Sequence, residues 1–184
     1  MASRMAESGP QPVARPGDST SGSTVWVDRG EEAQRILEFV LAARSRLVIL
    51  YGQHGVGKTS LVLRWVMPAA AADHETFYGD CELELPPEVG GRGGTCGLWE
   101  AAARRALIFI DSFERVLDLP EDRREAIFDD LAGHVLSGRC NSILVLILDK
   151  DRLGRAFTLG ARLPEVAHAA LEIKGIRARE GVAS

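Results

Sequence analysis

The eight residues Gly52-Gln53-His54-Gly55-Val56-Gly57-Lys58-Thr59 satisfy the spacing G-x-x-x-x-G-K-[ST] at every fixed position. The spacing has a chemical purpose. Glycines let the backbone curl until successive N–H groups point at one anion, and a helix starting at the end of the curl adds partial positive charge. Lys58 is expected to reach the β and γ phosphates of a nucleoside triphosphate as a solvent-facing point charge, and the Thr59 hydroxyl to ligate magnesium. Gly52 through Ser60 is the expected phosphate-binding stretch. His54 falls at a variable position and reads as a loop residue rather than a catalyst.

Phosphoryl chemistry needs a metal clamp as well as a phosphate cradle. Asp111 closes the apolar run Ala106-Leu107-Ile108-Phe109-Ile110 and is the expected second magnesium ligand. Glu114, three residues on, is the nearest acid placed to orient an attacking water, which makes Lys58, Asp111 and Glu114 the candidate catalytic set. Capping or salt-bridging the following segment is the competing role for Glu114.

Elements of two kinds must hold these residues. Leu47-Val48-Ile49-Leu50-Tyr51 is a short apolar, partly β-branched run typical of a strand buried on both faces. After the loop, Leu61, Val62, Trp65 and Val66 recur at helical spacing, in a helix expected to end near Pro68. Upstream, Ala33, Ile36, Leu37, Val40 and Leu41 give a helical face over residues 31–43. Residues 76–81 read as a second strand, residues 86–97 as a Gly- and Pro-rich exposed loop, residues 98–105 as a short helix and residues 106–111 as a strand. Ile127, Phe128, Leu131 and Val135 mark a helix over residues 121–136, with Gly138 past its end. Residues 142–148 form the next strand, followed by Asp149-Lys150-Asp151, and residues 170–176 a fifth. Strands separated by helices predict an α/β fold in three layers, a mostly parallel five-stranded sheet with helices on both faces. Ligands of such sheets bind outside the carboxyl ends of the strands, where Gly52, Asp111 and Asp149 all fall.

The 184 residues suffice for one nucleotide-binding domain, expected over residues 25–176, between a Ser-, Gly- and Pro-rich tail (residues 1–24) and a short C-terminal tail (residues 177–184). Lys and Arg total 22 against 26 Asp and Glu, so the net charge of −4 offers no general attraction to nucleic acid or an anionic membrane. The longest apolar run, Ile143 to Leu148, is strand-sized, far short of the ~20 residues that span a bilayer. With no signal-peptide layout at the N-terminus, the expected location is cytoplasmic. Cys81, Cys96 and Cys140 are scattered without a C-x-x-C, which fits reduced thiols; a zinc site of Cys81, Cys96 and His74 lacks ligand spacing.

Leu47 to Pro68 resembles the phosphate loop of the NACHT and STAND class of signal-transduction P-loop NTPases, which are related to AAA+ ATPases. Ile108-Phe109-Ile110-Asp111-Ser112-Phe113-Glu114 is similar to the Asp-x-Phe-Glu form of the second acidic motif in bacterial members. The stretch from Leu146 to Arg155 resembles that family's strand ending in Leu-Arg-x-Asp-x-Leu-Gly-Arg. Asp28-Arg29-Gly30-Glu31 resembles its Gly-Arg-x-x-Glu segment beside the adenine. The resemblance implies a P-loop NTPase fold, ATP and magnesium as ligands, ATP/ADP exchange as a switch, and self-association or a protein partner. Two departures imply slow hydrolysis. Asp149 stands where the family has an arginine sensor and would repel a γ-phosphate, and Ser112 stands where many relatives put a catalytic acid, leaving Arg152 or Arg155 as substitute sensors. A module that binds nucleotide without turnover is the alternative. A GTPase is disfavoured, because Asp149-Lys150-Asp151-Arg152 does not match the Asn/Thr-Lys-x-Asp guanine reader.

Overall fold

The computed structural model describes residues 28–81, 105–136, 141–164 and 168–175. Helix α1 (Gly30–Ala42) leads into β1 (Leu47–Gly52). The phosphate-loop stretch then opens a helical run in three pieces: α2 (Lys58–Leu61), a π-helical turn (Val62–Val66) and α3 (Met67–Ala70). Strands β2 (Glu75–Asp80) and β3 (Ala106–Asp111) follow, then α4 (Glu114–Leu117) and α5 (Glu121–Leu136). Strand β4 (Ile143–Asp149) passes through a 3-10 turn (Lys150–Arg152) into α6 (Leu153–Ala156), a second 3-10 segment (Phe157–Ala161) and β5 (Ala170–Glu172).

All strand pairs are parallel, in the order β2-β3-β4-β1-β5. The expected five-stranded, three-layer α/β fold is thus the observed one. Continuous apolar runs bury both sheet faces, and alternation splits each strand between two cores. Leu47, Ile49, Ile108, Leu144 and Leu146 pack under α4, α5 and α6 with Phe113, Phe128 and Leu131. On the other face Val48, Leu50, Phe109, Val145 and Ile147 meet Ile36 and Val40 of α1 and Leu61, Val62 and Val66 of the helical run.

Register sets the functional edge. Gly52 pairs with Asp149 across β1 and β4, and Asp80 with Asp111 across β2 and β3, so the carboxyl ends of four adjacent strands form one rim.

The helix after the loop ends near Pro68 as expected but passes through the proline, running two residues on to Ala70. Passage through the proline rests on the π turn, where the Met67 N–H reaches back five residues to the Val62 carbonyl. That shift in the ladder precedes a residue that has no N–H to give and whose ring would crowd a regular helix. Strand β4 runs one residue further than expected and takes in Asp149, while β5 is shorter, pairing with β1 only over Ala170–Glu172. The N-terminal tail, the predicted loop over residues 86–97, most of the helix over residues 98–105, Gly138 and the C-terminal tail lie outside the described residues. No helix among the described residues is long and apolar enough to cross a membrane.

Candidate functional site

The loop between β1 and α2 takes its shape from its glycines. Gly55 and Gly57 have φ of 78° and 80°, the left-handed region that side-chain-bearing residues avoid. Gly52 is required for a different reason: a Cβ there would sit 2.6 Å from the Ile173 carbonyl oxygen, because β5's exit passes directly against the loop. Gln53, His54 and Gly55 are exposed, Val56 and Gly57 half-buried, and Thr59 and Ser60 open to solvent at the start of the helical run.

Lys58 corrects an expectation. Rather than facing solvent, its side chain is only 10 % exposed and folds back under the loop. Its ammonium donates to the carbonyls of Gly52 (3.3 Å) and Gln53 (3.2 Å) and to Asp149 Oδ1 (2.5 Å). Three rotatable N–H donors on a strongly hydrated point charge need acceptors once the side chain is buried, and the rim supplies them. Asp149 is therefore a partner of the loop lysine, and the exposed His54 ring meets its other oxygen, Nδ1 to Oδ2 at 3.1 Å. Desolvation pushes the Asp149 carboxyl up, but the hydrogen bonds from Lys58 and His54 outweigh it and hold the group below its ordinary range.

Asp111 is 4 % exposed at the end of β3. Its Oδ2 accepts from the Tyr78 hydroxyl (2.9 Å) on neighbouring β2, and its Oδ1 from the Ser112 backbone N–H (2.8 Å). Burial first, and then the hydrogen bond and charge of Asp111, raise the Tyr78 phenol far above its ordinary value, so it remains a proton donor. Ser112 turns the chain with φ 55°, the single non-glycine with positive φ among the described residues. The turn is fixed from behind by the Phe113 N–H on the Ile147 carbonyl (3.0 Å) and by the buried Phe113 ring.

Glu114, the first residue of α4, is carried by this turn into the same neighbourhood. Its carboxyl feels Asp149 and Asp111 as repelling charges and Lys58 as an attracting one. Desolvation is the largest influence and raises it above the ordinary carboxylate range, although its own backbone N–H acts in the opposite sense. Oε2 is buried with no hydrogen-bond partner among the described residues. The structure thus brings Lys58, Asp111, Glu114 and Asp149 together at the rim.

Arg152 and Arg155, the substitute sensors, point elsewhere: both pair with Asp118, at 3.2 Å and 3.0 Å. Asp118 follows α4 and draws both guanidinium groups onto a partly exposed surface. Cys96 of the discarded zinc reading lies outside the described residues, and among those described no group of three His, Cys, Asp or Glu residues is arranged to hold a metal ion.

Sequence reasoning passed over two side chains that hold the site. Tyr78 carried no motif, and only the pairing of β2 with β3 brings it to Asp111. Arg29, noticed only as part of an adenine-flanking resemblance, is 8 % exposed and ties three segments together. Its Nε donates to Glu32 Oε2 (2.7 Å), its Nη1 to the Val56 and Gly57 carbonyls (3.1 and 3.5 Å), and its Nη2 to the Lys174 carbonyl (3.1 Å). The one available signal was its type, since a planar five-donor group just before a helix is suited to gathering carbonyls.

No protein-family model matches the chain. It is 27 % identical over 145 residues to Mitochondrial escape protein 2 of Coccidioides immitis (strain RS), covering 73 % of this chain and 16 % of that protein. Among solved structures it resembles the S. cerevisiae Hsp104-ADP complex with a TM-score of 0.53 and 14 % identity, over 83 % of this chain and 22 % of that one. The chain therefore spans a small part of the length of each. At these identities the structural likeness shows the fold alone, a parallel five-stranded α/β architecture in three layers of the P-loop NTPase-like kind.

Proposed function

We propose that this chain is a magnesium-dependent ATP-binding module of the STAND-like P-loop class, whose bound nucleotide acts as a switch and is hydrolysed slowly. The observation that carries this reading is the conjunction at one rim of left-handed Gly55 and Gly57, the buried Lys58 ammonium and the β3 acid Asp111. Backbone N–H groups of the loop would cradle the phosphates and Lys58 would neutralise them. Magnesium commonly takes one or two protein oxygens and completes its shell with phosphates and water. The exposed Thr59 hydroxyl and the Asp111 carboxylate fit that requirement, and the ion when bound would supply neutralisation of phosphate charge. Glu114, with a buried carboxylate oxygen that has no partner among the described residues, is the group suited to accept a hydrogen bond from water. Among the described residues neither substitute for the absent arginine sensor is free to serve the rim, since Arg152 and Arg155 are held by Asp118, and this supports slow turnover.

Calorimetric titration of the wild type and Lys58→Ala with ATP and magnesium tests the reading. Binding by the wild type and a loss of at least about a hundredfold in the variant, at unchanged circular dichroism, are expected. Equal affinities would remove Lys58 from the site and overturn the proposal.

A second reading, nucleotide binding without turnover, draws on the Lys58–Asp149 pair and on Ser112 in place of an acid. Phosphate release from the purified wild-type chain separates the two: release that continues past one equivalent supports the ATPase, and none over many hours supports the binding module.

A further inference from the structure

The rim carries an anion of its own on the lysine that should receive phosphate. Asp149 and Gly52 are register partners, so the carboxylate leaves β4 level with the first residue of the loop. Its two oxygens are both engaged, one by Lys58 at 2.5 Å and the other by His54 at 3.1 Å. The Asp149 side chain is 18 % exposed and that of Lys58 10 %, so solvent screens the pair weakly. In sheet order β4 lies between β1, which bears the loop, and β3, which bears Asp111. A polyphosphate running from the loop toward a cation on Asp111 must therefore bring its last phosphate past Asp149.

We propose that Asp149 is a specificity-determining residue of this phosphate site, which by competing for the Lys58 ammonium and repelling a terminal phosphate makes the chain take a nucleoside diphosphate in preference to the triphosphate. The proposal rests on the nucleotide-binding reading above and deepens it. A diphosphate brings one phosphate fewer toward the β4 rim and would share Lys58 with Asp149. A triphosphate adds charge beside Asp149, Asp111 and Glu114, and must first draw the lysine from its carboxylate partner. Asparagine at position 149 keeps the size and a hydrogen-bond acceptor but removes the charge, and serine also clears the space.

The test is titration calorimetry of the full chain with ADP and with ATP, both with magnesium, for the wild type, Asp149→Asn and Asp149→Ser. The wild type is expected to bind ADP more tightly than ATP. In both variants ATP affinity is expected to rise by about tenfold or more, the scale of removing one like charge at close range, with ADP affinity changing by less. The wild-type ratio is decisive by itself, so loss of folding in a variant leaves the proposal open to refutation: ATP bound as tightly as ADP, or more tightly, overturns it. Wild-type preference for ADP that persists unchanged in folded variants also overturns it, by assigning the selectivity to other groups. Binding of neither nucleotide by the wild type overturns the nucleotide-binding reading itself, and is thereby distinguished from failure of the Asp149 assignment alone.

Discussion

Glu114 and Asp149 are two carboxyls of one rim that respond to their surroundings with opposite sign. Desolvation, reinforced by Asp149 and Asp111, raises Glu114. A raised acid binds its proton more tightly folded than unfolded, so ionisation weakens the fold as pH climbs from the ordinary carboxyl range through the raised value. Glu114→Gln removes that charge. The variant is expected to melt about 1–3 °C above the wild type at neutral pH, with the difference vanishing below about pH 4, where the carboxyl is neutral in both states. Scanning calorimetry across that range checks it, and a gain that survives at acid pH would mean the effect is packing rather than charge. The same substitution is expected to lower single-turnover ATP hydrolysis by at least about tenfold at equal occupancy. For Asp149 desolvation is outweighed by Lys58 and His54, the folded value is lowered, and the stability it contributes is present above the ordinary range and lost as pH falls through the lowered value.

Among the elements, the join between loop and sheet leaves the least room. At Gly52 an added Cβ would stand 2.6 Å from a backbone oxygen of Ile173, which cannot swing aside as a side-chain tip can. Gly52→Ala is expected to destabilise the chain by about 1–3 kcal/mol in urea titration and to speed amide exchange in β5, which must move to make space. Ser112, held at φ 55° without being glycine, offers the reverse case. Relief of roughly 1–2 kcal/mol of left-handed strain, less glycine's greater loss of chain entropy, predicts that Ser112→Gly stabilises by up to about 1 kcal/mol, again read from urea midpoints. Elements with strong local patterns were legible in advance. Strand β3 and helix α5 run over the expected residues, one as an unbroken apolar run and the other by a periodic face. The π turn was not, because Leu61, Val62, Trp65 and Val66 fit an α-helix and a π-helix equally well over so few residues. Nor was the early end of β5, since Ile173 is as apolar as the residues that pair, is buried in the core and still gives its N–H to the Tyr51 carbonyl (2.7 Å).

For the molecule as a whole, a ligand that binds only the folded state stabilises it by mass action. At a hundred times its dissociation constant, ATP with magnesium is expected to raise the melting temperature by about 5–11 °C, from ~2.7 kcal/mol of linkage and the size of the chain. GTP at the same concentration is expected to give a clearly smaller rise, and chelation of magnesium to abolish most of the ATP effect because the rim is rich in carboxylates. Equal shifts for ATP and GTP would sink the adenine preference, and a shift indifferent to chelator would sink the role of magnesium. What the sequence conveyed about this site was its contiguous part. Gly52 to Thr59 is a local pattern whose meaning needs only its neighbours, whereas Lys58 meets Asp149 across 91 residues and Tyr78 meets Asp111 across 33. Charge alone suggested that Asp149 would oppose phosphate; only the register of β1 against β4 brings it onto the lysine.

The Arg29 guanidinium reaches across 145 residues of sequence to the Lys174 carbonyl, while the same group grips Val56 and Gly57. The backbone entering α1 and the backbone leaving β5 are consequently pinned to the crest of the glycine loop by one rigid, planar fork. Two carbonyl-bearing segments and the Glu32 carboxylate of α1 hang from a single plate, so a tilt of the loop tugs on the paths by which the chain arrives and departs. Arg29 gears the loop to both sides of the sequence at once, as an axle gears two levers.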